Sequence, residues 1–234
     1  MKNLCTICMR GGSKGVPNKN LRLLLGKPLM AHTIEQALQS GLFEHVVVST
    51  DSRKIAEKAK TYGAETWFLR PLELATDQAP KVPAIRHAFL ESENHYGHRF
   101  DVLIDLDATS PLRNVEDITK AYRQFLDEDA DILITACPAR KNPYFNMVEI
   151  INGKIQKVKI LDKEPVNRQD VPQVYDMNAS IYIWKRHTLL ENDTLFTDKT
   201  SLYIMLEERS VDIDTKLDWD FVEYMIGKKT NIHD

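Results

Sequence analysis

Leu4-Cys5-Thr6-Ile7-Cys8-Met9 runs directly into Arg10-Gly11-Gly12-Ser13-Lys14-Gly15-Val16-Pro17-Asn18-Lys19-Asn20. A short apolar run closed by turn residues reads as a buried strand. A Gly-rich loop after a first strand is a frequent phosphate site. Its glycines let the backbone turn tightly and approach a ligand, and successive N–H groups can form an anion nest. Arg10, Lys14 and Lys19 add positive charge and Ser13 adds a hydroxyl. The Gly-Lys-Ser/Thr ending of the usual P-loop is missing, and so is G-x-G-x-x-G. Taken alone, the loop says phosphate and no more; the bland alternative is a basic loop without a ligand.

Outward from this stretch, strands and helices alternate. Pro28–Gln39 has helical periodicity and stops at Ser40-Gly41. His45–Ser49 reads as a strand, and Asp51 or Ser52 can cap a helix over Arg53–Thr61. Glu65–Leu69, Val102–Leu106 and Ile132–Ala136 read as further strands, with helices over Val82–Glu93 and Val115–Leu126. Apolar strands separated by helices predict an α/β fold: a mostly parallel sheet with helices on both faces, Rossmann-like. Ligands in such sheets bind at the carboxyl ends of the strands. The alternation fails after about residue 138. Met147–Ile151, Lys154–Val158 and Ala179–Trp184 look like strands, and Asn152-Gly153 is a hairpin turn signal. Residues 139–184 are expected to form a β-rich excursion from a single domain spanning 1–234. Leu202–Met205 and Ser210–Ile213 read as late strands and Trp219–Ile226 as a terminal helix.

Composition narrows the function classes. The net charge is -3 over 234 residues, without the basic excess that non-specific nucleic-acid binding needs. No apolar run reaches the ~18 residues of a membrane span. The N-terminus makes a poor signal peptide, so a cytoplasmic location is expected. Cys5 and Cys8 share a C-x-x-C spacing, but strand residues three apart face opposite sides. With no second such pair for a zinc site, they read as small buried residues. Trp67, Trp184 and Trp219 read as core.

The loop resembles the signature of the acylneuraminate cytidylyltransferases, the CMP-sialic acid synthetases. The resemblance continues in order along nearly the whole chain. It includes Leu69-Arg70-Pro71-Leu72-Glu73-Leu74-Ala75-Thr76-Asp77 and Ala108-Thr109-Ser110-Pro111-Leu112-Arg113. Further on come Pro172-Gln173 with Asn178-Ala179-Ser180-Ile181-Tyr182-Ile183, and Asp212-Ile213-Asp214-Thr215 with Asp218. It implies transfer of CMP from CTP to the anomeric hydroxyl of a 2-keto sugar acid, with release of pyrophosphate. It also implies magnesium, and a homodimer in which the β-rich excursion reaches the partner's active site.

By the same resemblance Arg10, Gly11, Gly12, Ser13 and Lys19 hold the triphosphate, and Asn20 and Arg70 bind the nucleotide. Fixed cations there stabilise charge on the leaving pyrophosphate. Lys14 either helps or faces solvent. An Asn can bond a pyrimidine edge with one donor and one acceptor, whereas Arg70 taken alone could be a surface ion pair. Asp212 and Asp214 stand i, i+2. On a strand they share one face, and two carboxylates on one face repel unless a cation joins them. Magnesium suits such oxygen ligands. Arg10, Lys19 and Asp214 are the expected catalytic residues.

Thr109 and Ser110 are expected beside the sugar, and Arg113 either there or in a structural role. Arg168 matches a position that reaches the substrate from the partner subunit. Asp107 stands where the family usually has Gln, and three roles are open to it: binding a second magnesium, recognising a donor group on a different sugar, or acting as base. Asp105 reads as a cap or a buried hydrogen-bonded acid. Phe145 and Asp176 stand near positions where sialic acid enzymes often carry Lys and Arg. With Pro143 and Tyr144 they resemble the legionaminic-acid branch, so a diacetylated, deoxy nonulosonate is the expected sugar. The other readings are a synthetase for the eight-carbon acid Kdo, a transferase for sugar 1-phosphates, and an inactive nucleotide-binding protein of the same fold.

Overall fold

The structure is a computed structural model and describes residues 1–230. In chain order the elements are β1 (Asn3–Cys8), β2 (Leu23–Leu24), β3 (Lys27–Pro28), α1 (Leu29–Ser40), β4 (His45–Ser49) and α2 (Arg53–Lys60). They continue with α3 (Lys81–Tyr96), β5 (Val102–Leu106), α4 (Val115–Asp127), β6 (Ile132–Pro138), β7 (Val148–Ile151) and β8 (Lys154–Lys157). The chain closes with β9 (Tyr175–Lys185), α5 (Arg186–Glu191), β10 (Thr200–Ile204) and α6 (Lys216–Thr230). Six strands form the central sheet in the order β10-β6-β9-β5-β1-β4. β9 runs antiparallel to both its neighbours, and the other five strands share one direction.

The sheet is covered on both faces. Alternate residues of β1 divide between two cores, because side chains in a strand alternate. Cys5 and Ile7 join the cluster built with Met30 and Ile34 of α1, Ile55 of α2 and Ile118 and Phe125 of α4. Leu4 joins the opposite cluster, with Ile85 and Phe89 of α3 and Leu189 of α5. Cys8 packs on that second face, so the two thiols of the C-x-x-C lie on opposite sides and are both free. Burial pushes the Cys8 thiol up to about 12, which keeps it protonated and unreactive.

Local chemistry sets the helix ends. Gly41 closes α1 in the left-handed region (φ 64), where a glycine carries no Cβ penalty. The Ser52 side chain accepts from the Ile55 N–H at the start of α2. Asn114 and Asp117 make a reciprocal capping box on α4. Asn152 and Gly153 both take positive φ (51 and 75) between β7 and β8, as a two-residue hairpin turn requires.

Four expectations need correction. Glu65–Leu69 is not a strand: Glu65 makes one parallel bridge to Val47. Beyond it, Arg70 turns its side chain inward to Ser49, while Trp67 and Phe68 pack on His95 and His87. Trp67 is therefore half-buried, unlike Trp184 and Trp219, which are core. Ser210–Ile213 is also irregular. The Ser210 side chain bonds the Leu206 carbonyl, and the Ile213 N–H goes to Thr109 O at 2.9 Å, so no ladder partner is left. Finally, the strand around Ala179–Trp184 does not project. As β9 it fills the slot between β5 and β6, and only residues 139–174 leave the sheet.

Candidate active site

The carboxyl ends of β1 and β5 open into a cleft of about 530 Å³. The loop after β1 forms one wall. It is anchored twice: the Gly11 N–H donates to Asp51 Oδ1 at 2.8 Å, and Val16 is buried in a third apolar cluster with Ile213, Trp219 and Val222. That cluster draws the loop against the segment before α6, and Lys19 donates to the Ile213 carbonyl and to Asp214 Oδ1, the latter at 3.1 Å. A Cβ built on Gly15 would collide with the backbone carbonyl of Asp214. Gly15→Ala is therefore expected to force loop and carboxylate apart. A misplacement of about 1 Å can cost about 10²-fold in rate, so kcat should fall by about that factor while circular dichroism stays native. Wild-type turnover by the variant would show that the close approach is not needed.

Arg10, Gly12, Ser13, Lys14, Gly15, Lys19, Asn20 and Arg70 line the cleft, and so do Asp107, Thr109 and Asp214. Arg10 and Lys14 both pair with Asp77, from the irregular stretch before α3. Those two cations hold the Asp77 carboxyl below its ordinary range. Arg70 is buried rather than a surface partner. Its Nε donates to Ser49 Oγ at 3.1 Å and its Nη2 to the Ser49 carbonyl at 2.6 Å. The Asn20 Nδ2 donates to the Arg10 carbonyl at 3.1 Å. Since that carbonyl only accepts, the amide orientation is settled, and the buried Asn20 Oδ1 is left without a partner.

Asp107 sits at the end of β5. Its Oδ1 accepts from the Thr109 N–H at 2.9 Å and the Thr109 hydroxyl at 2.8 Å, and its Oδ2 from Lys81 at 2.9 Å. Burial alone would raise its carboxyl, but Lys81 and Thr109 hold it down to about 2. So acidic a group makes a weak base, and an ammonium at hydrogen-bond distance disfavours a second metal there. Asp105 is a buried hydrogen-bonded acid, accepting from Thr6 at 2.8 Å. Arg113 is structural. It is 1% exposed and donates to Ser180 O, Ser180 Oγ, Thr33 Oγ1 and Gln36 Oε1.

Asp212 and Asp214 do not share a strand face. Asp214 lines the cleft, and Asp212 lines an adjoining hollow with Arg140 and Asp176. Burial raises the Asp212 carboxyl, and the charges of Asp214, Asp107 and Asp218 raise it further. Ser110 is wholly buried with an unpartnered hydroxyl and is not part of the cleft lining. Phe145 and Arg168 also lie outside the cleft of their own chain. Arg168 donates to the Ala139 and Arg140 carbonyls, both at 3.0 Å, beside a separate hollow. One cleft residue is not legible in the sequence: Lys81 is a single lysine at a helix start, where exposure is the usual outcome. Asp51, a cap candidate by sequence, instead anchors the loop through the Gly11 N–H.

A strand-end cleft with a basic glycine loop on one side and a carboxylate on the other defines a nucleotide-handling enzyme of the doubly wound α/β class. The chain belongs to the cytidylyltransferase family, whose pattern it matches over residues 4–225. It is 52% identical over 226 residues to a CMP-N,N'-diacetyllegionaminic acid synthase of Campylobacter jejuni, covering 97% of this chain and 95% of that one. It is 51% identical, with the same coverage, to the post-translational flagellin modification protein B of Campylobacter coli. A pseudaminic acid cytidylyltransferase of Campylobacter jejuni is 34% identical over 233 residues, 96% of each chain. A solved structure of CMP:2-keto-3-deoxy-manno-octonic acid synthetase complexed with CTP superposes with a TM-score of 0.72, over 98% of this chain and 100% of that one. At 16% identity that likeness shows the shared fold.

Proposed function

We propose that the protein transfers CMP from CTP to the anomeric hydroxyl of a nonulosonic acid and releases pyrophosphate, with a diacetylated legionaminic-type acid as the natural substrate. The observation that carries the cytidine assignment is the unpartnered Asn20 Oδ1 in the cleft. An acceptor with no donor suits the exocyclic amine of cytosine. Uracil presents a carbonyl oxygen at that position and would set acceptor against acceptor. The 52% identity to a diacetyllegionaminic acid synthase supports the sugar.

The chemistry follows from placement. Arg10, Ser13 and Lys19 would bind the triphosphate and offset charge as the bond from the α-phosphorus to pyrophosphate breaks. The sugar's anomeric oxygen forms the new bond to that phosphorus, and its proton leaves to solvent. Magnesium fits the donor set: Asp214 is a hard oxygen donor inside the cleft, and Asp212 next to it carries a carboxyl destabilised by other acids. Among the described residues no three His, Cys, Asp or Glu side chains form a metal cage. Bound beside Asp214, magnesium would polarise phosphate oxygens and screen the triphosphate's charge.

A pyrophosphate-release assay with magnesium and a panel of 2-keto sugar acids tests the reading. CTP should exceed UTP in kcat/KM by roughly 10³-fold or more, as expected where a buried polar group would be left unpaired, and Asn20→Ala should narrow that gap. Equal use of CTP and UTP would remove the cytidine assignment. Better turnover of N-acetylneuraminic acid or Kdo than of the diacetylated acid would move the substrate. Nucleotide binding without pyrophosphate release would leave an inactive homologue.

We also infer a homodimer in the cytoplasm. No described helix is long and apolar enough to cross a membrane, and three unpaired thiols suit a reducing compartment. The β7–β8 hairpin exposes Val148, Ile150 and Ile155, and Ile160 just beyond it is exposed too. A lone two-stranded hairpin is marginal in water, so a second copy covering it, with Arg168 and Phe145 delivered to the neighbouring cleft, accounts for both. Light scattering should give twice the chain mass, and a monomer at working concentration would exclude the arrangement.

A further inference from the structure

One cation in the cleft does not come from the loop. Lys81 opens α3, and its ammonium lies 2.9 Å from Asp107 Oδ2 and 3.4 Å from Asp105 Oδ2, 4.7 Å over the ring of Tyr182. An ammonium has three N–H donors. One is spent on Asp107, Asp105 lies within ion-pair distance, and Lys81 lines the cleft, which leaves donor capacity for a ligand there. Asp107 has about four lone-pair positions, and Lys81 and Thr109 take three of them. One donor and one acceptor therefore stand side by side at the strand end.

Charge decides what they can hold. One ammonium faces two acids, and the buried Arg113 guanidinium acts on both acids as well, so the group is close to neutral with Asp105 ionised. Arg113 donates to Ser180, Thr33 and Gln36 and does not line the cleft. The cleft therefore meets a Lys81 ammonium already matched by Asp107, not a free cation for a phosphate or a carboxylate. Arg10, Lys14 and Lys19 line the same cleft, and these loop cations are the better partners for anions.

We propose that Lys81 and Asp107 together read a neutral polar substituent of the sugar, an N-acyl group or hydroxyl, which makes Lys81 a specificity-determining residue. The acyl carbonyl accepts from Lys81, and a neighbouring hydroxyl or amide N–H donates to Asp107. This rests on the nonulosonic acid reading given above.

The test compares the wild type with Lys81→Met, which keeps the stem over Tyr182 and removes the donors. Both are assayed with CTP and two sugar acids: N-acetylneuraminic acid and its counterpart bearing hydroxyl in place of the acylamino group. Loss of a charged donor should raise KM for the acylated sugar roughly 10–100-fold. KM for CTP should stay within about twofold, and the preference for the acylated sugar should shrink. Lys81→Arg, which keeps a cation of different shape, should fall between the two, and thermal melts report whether each variant is folded. A rise in KM for CTP with the sugar KM unmoved would overturn the proposal and make Lys81 a phosphate ligand. Unaltered kinetics in Lys81→Met would overturn it as well. If the wild type releases no pyrophosphate with any nonulosonic acid, the underlying reading fails first, before any variant is compared.

Discussion

Replacing Asp214 by Asn is expected to lower kcat by about 10²–10³-fold, the range seen when one preorganised electrostatic contact at a transition state is removed. The carboxylate stands in the cleft, 3.1 Å from the Lys19 ammonium. It is therefore paired directly with one of the loop cations. Asn keeps the shape but loses the charge that a hard cation needs. Because the Asp214 side chain is 72% exposed, the fold should not notice: surface substitutions usually stay within about 0.5 kcal/mol. Steady-state pyrophosphate release should show the fall in kcat, and a magnesium titration should show half-saturation shifted upward. Unchanged kcat would take Asp214 out of the reaction.

The second large effect falls on stability. Arg113→Leu is expected to cost about 3–5 kcal/mol, the range for breaking a buried charged network by deleting one partner. For a chain of this size about 1 kcal/mol corresponds to about 2–4 °C, so the melting temperature should drop by about 6–20 °C. Burial pulls the guanidinium down to about 10, so it remains charged at neutral pH. It links α1, through Thr33 and Gln36, to β9, through Ser180. Leucine would strand those acceptors in a dry interior. Arg113→Lys should not rescue, because one ammonium cannot reproduce the guanidinium fork. A melting curve within 2 °C of wild type would show that the network is dispensable.

Much of the architecture could be read locally. The strand and loop from Leu4 to Asn20, the capped helices and the Asn152-Gly153 turn each announce themselves within a few residues, because their causes are local: side-chain alternation, a cap, a positive φ. What escaped depends on distant neighbours. The apolar run around Ile181 says strand but not which slot it fills, and nothing in it says antiparallel. Asp212 and Asp214 alternate as strand residues would, yet the chain there is held by Thr109 and the Val16 cluster rather than by a ladder. Arg70 taken alone could be a surface ion pair, and Arg113 could sit beside the sugar, until their acceptors, Ser49, Ser180, Thr33 and Gln36, arrive from elsewhere. Lys81 gains its meaning only when α3 sets it against β5.

The antiparallel β9 has a consequence for how the molecule comes into being. β5 and β6 are neighbours in sequence but not in the sheet; the strand between them ends at residue 185. A nascent chain that has reached β6 therefore carries unpaired edges on β5 and on both sides of β6, because β9 and β10 are still to come, and such edges invite pairing with other chains. It must then make the whole projecting arm before the missing strand arrives. Such long-range pairing is slow, because loop closure precedes its reward. The centre of the sheet thus closes late in synthesis, shortly before β10 is added at its edge, and strand edges left exposed in that interval are the kind that aggregate.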